Sequence, residues 1–229
     1  MAENENNAAS IAEKKIEEIE GRQARRKSMF NLYAWKLKDV ILVSMLSVFF
    51  GIICLSVVHL SLFITPFLAL VGLGEMTIEF VFGIWFFAAT FSPYIMRKPG
   101  VATVTSTMTG VVQVLLGSPF AATVVVSAFV QGLGAEAAFA LFRYRKANWA
   151  TMLLAAAGCA AFSFVLAWYR GIWAELSVAF VAARFCVRLA SALVFAGALS
   201  KLLADRLAKA GVLKSYPIGA QYVGSIDEP

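Results

Sequence analysis

The chain has 229 residues, of which 60% are hydrophobic and 15% charged, and its formal net charge is +6 at pH 7. A soluble domain of this length needs far more polar surface to cover its core. The basic excess does not read as a nucleic-acid footprint either: Lys and Arg stand in short blocks beside long apolar runs, where they act as topology signals and contacts with anionic lipid.

In chain order, residues 1–38 are polar and mixed in sign, with Ser10 and Glu13 spaced as a capping box and a weak stripe of Ile11, Ile16 and Ile19. This stretch reads as a cytoplasmic tail or short helix, and its charged start lacks the apolar core of a signal peptide. A span needs about 20 apolar residues, and residues 40–60 supply the first. Residues 61–74, with Pro66, Gly72 and Gly74, are predicted to form an interfacial or re-entrant loop. The second span is predicted over 78–96, closed by the polar turn Arg97-Lys98-Pro99-Gly100. Spans over 101–116, 120–142, 149–169 and 176–203 follow, and residues 207–229 form a cytoplasmic tail. The expected fold is an all-α membrane protein of six transmembrane helices, with a transmembrane domain over 39–206. Lys36, Lys38, Arg97, Lys98, Arg143, Arg145, Lys146, Lys201, Arg206, Lys209 and Lys214 fall on one side of such a bundle, and Arg170 alone among Lys and Arg lies opposite. By the positive-inside rule both termini are cytoplasmic and the protein is multi-pass in the cell membrane.

Charges inside a bilayer are costly, so each marks a candidate site. At 1.5 Å per residue, Glu79 and Gln113 lie roughly 6 Å below the outer boundary, Arg184 roughly 13 Å and Gln131 roughly 16 Å. His59 is placed where the first helix closes at that surface. Glu75, Glu79, Phe82, Gly83 and Phe86 share one helical face, and Trp85 belongs to the same aromatic run. An acid among aromatic rings suits a cationic or amino-heterocyclic ligand; a snorkelling surface acid is the alternative for Glu79. The candidate substrate-binding set is Glu79, Phe82, Trp85, Phe86, Gln113, Gln131, Arg184 and His59. Glu136 and Arg188, at roughly 24 and 20 Å depth, are expected to form a structural ion pair. Trp168, Tyr169 and Trp173 read as an interfacial belt or a pocket lid. Ser44, Ser47 and Gly51 form a small-residue face on the first helix, open either to a neighbour in this chain or to a partner subunit.

Cys54, Cys159 and Cys186 are isolated and odd in number, and His59 is the single histidine, so no disulfide framework, zinc site or catalytic metal motif is expected. No P-loop and no G-x-S-x-G is present. The chain is expected to be no enzyme, to use no cofactor and to bind no nucleic acid, and active transport would need a partner ATPase or an ion gradient.

The strings Gly83-Ile84-Trp85-Phe86, Arg97-Lys98-Pro99-Gly100, Leu115-Leu116-Gly117-Ser118-Pro119, Val130-Gln131-Gly132-Leu133-Gly134-Ala135-Glu136, Arg188-Leu189-Ala190-Ser191 and Gly211-Val212-Leu213 resemble, in that order, YkoE-type proteins. These are S components of energy-coupling factor (ECF) vitamin transporters, linked to thiamin and its hydroxymethylpyrimidine precursor. The resemblance covers roughly residues 35–220 and implies an outward-facing pocket in a six-helix S-component bundle. It also implies partners: a transmembrane coupling subunit, which would face Ser47 and Gly51, and two cytoplasmic ATPases. The resemblance further implies acids in the helix after the R-K-P-G turn, where this chain has Ser106 and Gln113; their loss brings a neutral aminopyrimidine into contention beside thiamin. The competing expectation is a membrane scaffold or lipid-modifying protein with no role in transport.

Overall fold

In the computed structural model, the described residues are 34–144, 148–172 and 176–220. The chain divides into Met1–Lys36 and Leu37–Pro229; the expected N-terminal tail lies almost wholly outside the described residues, as do Arg145, Lys146 and Trp173. The second unit carries six helices among its described residues: α1 (Leu37–Ala69), α2 (Gly74–Met96), α3 (Val101–Leu115), α4 (Thr123–Leu141), α5 (Trp149–Tyr169) and α6 (Val178–Lys209). All but α3 have the length and hydropathy of a membrane span; α3 is apolar but short, at 15 residues.

The first helix is 33 residues long and runs through Pro66. The predicted re-entrant loop over 61–74 is therefore corrected: most of it continues α1. Apolar surroundings tolerate a proline within a helix when side chains supply local hydrogen bonds. Pro66 withdraws the N–H that would reach the Leu62 carbonyl; in the turns before it the hydroxyls of Ser61 and Thr65 add bonds to the carbonyls of Val57 and Ser61, both at 2.7 Å.

The second span is not one regular helix. It passes from a 3₁₀ turn at Gly74–Met76 to an α-turn at Thr77–Val81, a second 3₁₀ turn at Phe82–Ile84, and an α-helix at Phe87–Met96. Every residue of Phe87–Met96 is buried, with Phe50, Phe87 and Phe91 interlocking at ring separations of 5.1–5.7 Å. This half is the central post of the bundle, in contact with each of the other five helices. Thr90 ties it to the π-helical stretch Leu193–Leu199 of α6, donating to the Ala196 carbonyl at 2.8 Å.

The upper half of α2 leans on α6 at Gly83. A Cβ there would meet the Ser191 carbonyl oxygen at 2.2 Å, and the Gly83 N–H donates to Ser191 Oγ at 3.0 Å. Glycines allow the same closeness where α4 crosses α5: a Cβ on Gly134 would sit 2.5 Å from the Gly158 carbonyl oxygen. In membrane bundles, where burial between helices gains little over burial in lipid, such close backbone approach is what van der Waals packing requires.

Two sequence expectations are corrected by packing. Ser47 and Gly51 face α3 of this same chain: Ser47 Oγ donates to the Thr105 carbonyl at 3.3 Å, and a Cβ on Gly51 would meet the Val112 side chain at 2.6 Å. They are an internal seam, while Ser44, three residues earlier, is exposed. Glu136 and Arg188 do not pair. The Glu136 carboxylate accepts from the backbone N–H groups of Gly100 at 2.6 Å, Ala102 at 3.1 Å and Thr103 at 3.4 Å, and from the Tyr144 hydroxyl. It caps the N-terminus of α3, which has no side-chain cap of its own, and its charge suits the positive end of that helix. The two residues stand at different levels of the bundle: Glu136 at the basic end beside the start of α3, Arg188 further along at Ser163 and Glu79.

The same end carries the basic residues. Lys98 pairs with Asp39 at 2.6 Å, and Lys201 pairs with Asp205, which also accepts from the Tyr94 hydroxyl at 2.8 Å. Beyond α6 the described residues, to Ala220, pack back here: Leu213 and Ile218 are buried, and Tyr216 donates to the Lys38 carbonyl at 2.9 Å.

Candidate functional site

With the lower half of α2 at the centre and its upper half drawn against α6, a cavity of about 280 Å³ is left between α2, α3, α4, α5 and α6, away from the basic end. That is small for a ligand pocket, which typically holds about 300–1,000 Å³. The 3₁₀ turn sets the aromatic wall. At three residues per turn, positions i and i+3 eclipse, so Phe82 and Trp85 both line the cavity, while Phe86 is fully buried in the core against Phe82.

Six of the predicted residues converge on this cavity: Glu79, Phe82, Trp85, Gln113, Gln131 and Arg184. Phe86 and His59 do not. His59 is exposed on α1, where its Nδ1 lies 2.9 Å from the Leu55 carbonyl, because α1 runs ten residues past it instead of closing there. Trp168 and Tyr169 point outward, at 62% and 87% exposure, and line no part of the cavity.

Glu79, 1% exposed, is held by two arginines of α6. Arg188 donates Nε to Oε2 at 2.6 Å and Nη2 to Oε1 at 2.8 Å. Arg184 donates Nε and Nη2 to Oε1, both at 3.2 Å, and Nη1 to Glu75 at 3.0 Å. Arg188 also reaches Ser163 Oγ at 3.3 Å and lies 4.0 Å from the Phe82 ring centroid. Planar guanidinium groups match carboxylates through paired contacts and stack on aromatic faces, so one buried acid and two arginines form a closed cluster at the cavity wall. The pairing of Glu79 with Arg188 is what depth alone missed, although both lie at i, i+4 positions of polar stripes on apolar helices.

Opposite stands an amide and hydroxyl wall. Trp85 Nε1 donates to Gln113 Oε1 at 3.3 Å, and Gln113 Nε2 donates to the Thr109 carbonyl at 3.4 Å. Ser106 Oγ donates to the Ala128 carbonyl at 2.7 Å. Gln131, one helical turn below Ser127, is 4% exposed and lines the cavity, and its side-chain amide has no hydrogen-bond partner among the described residues. Its backbone carbonyl accepts from Cys159 Sγ at 3.2 Å, which ties this turn of α4 to α5. Ser106, Thr109 and Gln113, spaced i, i+3 and i+7, form a polar stripe that sequence reasoning could have read as a lining face. Arg170, Ser127 and Ser163 also line the cavity and were missed as contributors.

Comparison with known proteins gives three matches. Residues 38–162 match the family described as "ABC-type cobalt transport system, permease component". A protein of Bacillus subtilis (strain 168), provisionally named HMP/thiamine permease protein YkoE, is 32% identical over 189 residues, which cover 82% of this chain and 92% of the relative. A crystal structure of an S component of an ECF transporter superposes with a TM-score of 0.77 at 31% identity, covering 82% of this chain and 93% of that one.

Proposed function

Because the chain belongs to the YkoE-type family of ECF transporter S components and is a multi-pass membrane protein, we propose that it captures thiamin or a pyrimidine precursor from outside the cell in the cavity between α2 and α6. The single observation that carries this reading is the convergence of Phe82, Trp85, Gln113 and Gln131 on one small hollow beside the Glu79–Arg188 cluster. Aromatic faces stack a flat ring, amides read its edge, and the modest volume suits a compact heterocycle. The positive-inside rule supports the direction, since the loop and helix-end lysines Lys38, Lys98 and Lys201 gather at the end away from the cavity, with Arg170 alone among the flanking basic residues at its mouth.

The chain carries no P-loop, so a coupling subunit and two cytoplasmic ATPases supply the energy in this reading. A membrane scaffold or lipid-modifying role is the alternative, and co-purification separates them: the transport reading expects a coupling subunit and ATPases to be retained. The matched family's description raises cobalt as a second cargo. A divalent metal needs several convergent donors, and among the described residues no three His, Cys, Asp or Glu side chains come together; the heterocycle has the better support. The direct test is tryptophan fluorescence of the detergent-purified protein titrated with thiamin, hydroxymethylpyrimidine, cobalt and an unrelated vitamin. Saturable binding of either of the first two is expected; no response to both ends the proposal.

A further inference from the structure

Resting on that reading, we infer that the pocket selects an uncharged ring with an amino group beside a ring nitrogen, and that Gln131 reads this edge. Two independent observations carry it. The first is the state of Gln131. Much of the polar wall is paired within the protein: Gln113 between Trp85 and Thr109, Ser106 on Ala128, Thr109 on Thr105, and Ser163 on Ala160 and Arg188. Of the lining side chains without a hydrogen-bond partner among the described residues, Ser127 is half-buried and Arg170 exposed, whereas Gln131 is buried. Gln131 presents a carbonyl and an NH₂ group, side by side, into the cavity without a partner among the described residues. An amide facing a cavity with both halves unpaired is open to a ligand edge that donates and accepts side by side. An amino group next to a ring nitrogen does so: the amino N–H donates to the amide oxygen and the ring nitrogen accepts from the amide NH₂. Gln reads the N6/N7 edge of adenine in this way.

The second observation is charge. Among the described lining residues the one carboxylate is Glu79, already engaged by Arg184 and Arg188, while Arg170 lines the cavity from an exposed position. Glu75 pairs with Arg184 but is 73% exposed and lies off the cavity wall. Glu79 itself is enclosed: Oε1 accepts three N–H contacts and Oε2 one. A permanent ring cation entering this partly desolvated space finds no carboxylate open to pair with it. Thiamin carries such a cation; hydroxymethylpyrimidine has the same amino edge without it.

The test titrates the native, detergent-purified protein with hydroxymethylpyrimidine, its analogue with hydrogen in place of the amino group, and thiamin, and repeats the series on Gln131→Leu. Hydroxymethylpyrimidine should bind at least about tenfold more tightly than thiamin, and about ten- to a hundredfold more tightly than the analogue. In Gln131→Leu its affinity should fall to that of the analogue, whose own affinity should move little. Equal binding of hydroxymethylpyrimidine and the analogue by the native protein overturns the role of Gln131, whether or not the variant folds. Tighter binding of thiamin overturns the charge argument while leaving the proposed function intact. Failure of every pyrimidine to bind removes the function and this inference together.

Discussion

Arg188 grips Glu79 with two N–H groups at 2.6 and 2.8 Å and lays its guanidinium 4.0 Å from the centroid of Phe82. The contact fixes the wall of the cavity to α6 at the level where α2 leaves α-helical geometry. It also changes the meaning of Glu79. An acid in a membrane helix suggests a ligand contact, but this one has its oxygens engaged by arginines, so its primary effect is on structure.

Glu79→Ala therefore leaves two arginines facing each other in a buried site. Removing one partner of a buried pair costs about 3–5 kcal/mol, and the variant should lose several degrees of Tm in detergent. Glu75→Gln breaks a contact whose acid is 73% exposed and should cost under about 1 kcal/mol. Thermal unfolding of both variants decides: similar Tm losses would contradict the distinction.

Gly83→Ala pushes a methyl group against the Ser191 carbonyl, where the Cβ would stand at 2.2 Å. Backbone atoms cannot rotate aside as a side chain can, so α2 must shift from α6. The expected cost is about 1–3 kcal/mol in stability, with ligand affinity lost as Phe82 and Trp85 move. Unaltered binding and Tm would mean that the two helices are not held this closely.

Among the described residues Trp85 is the indole on the cavity wall, whereas Trp35, Trp149 and Trp168 are 37%, 46% and 62% exposed and line no part of it. Trp85→Phe should abolish most of the ligand-induced fluorescence change. Binding followed by calorimetry should weaken by about 0.5–1.5 kcal/mol, the scale of the lost hydrogen bond to Gln113. A fluorescence response that survives intact would place the ligand elsewhere.

The spans were legible because each is a long apolar run bounded by charge or turn residues; the fifth, Trp149–Tyr169, has the same limits by sequence and by structure. The interruption in the second span was not, since Val81, Phe82 and Ile84 are as apolar as any helical run and hydropathy does not distinguish a 3₁₀ turn from an α-turn. That interruption is why Trp85 rather than Phe86 meets the cavity. Depth was legible in part: helical rise brought Glu79, Gln113, Gln131 and Arg184 into the candidate set, but it set Arg188 level with Glu136 and far below the Glu79 that it grips at 2.6 Å. Azimuth was not, and it decides partners: Arg188 turned to Glu79, Glu136 to the start of α3, and Ser47 and Gly51 to a helix of their own chain.

Glu136 offers the complementary case, a membrane acid whose work lies far from the cavity. It takes the N–H groups of Gly100, Ala102 and Thr103, which have no intrahelical partners at a helix start. Glu136→Ala strands these donors and the Tyr144 hydroxyl and should cost about 2–3 kcal/mol, the scale for hydrogen bonds to a charged group. Glu136→Gln keeps one carbonyl oxygen and should lose less. Both should leave hydroxymethylpyrimidine affinity within about twofold, because distant sites without shared partners add independently. Thermal unfolding ranks the two variants and a fluorescence titration checks the separation. A large affinity loss in Glu136→Gln at unchanged stability would show that the base of α3 communicates with Gln113 at its far end.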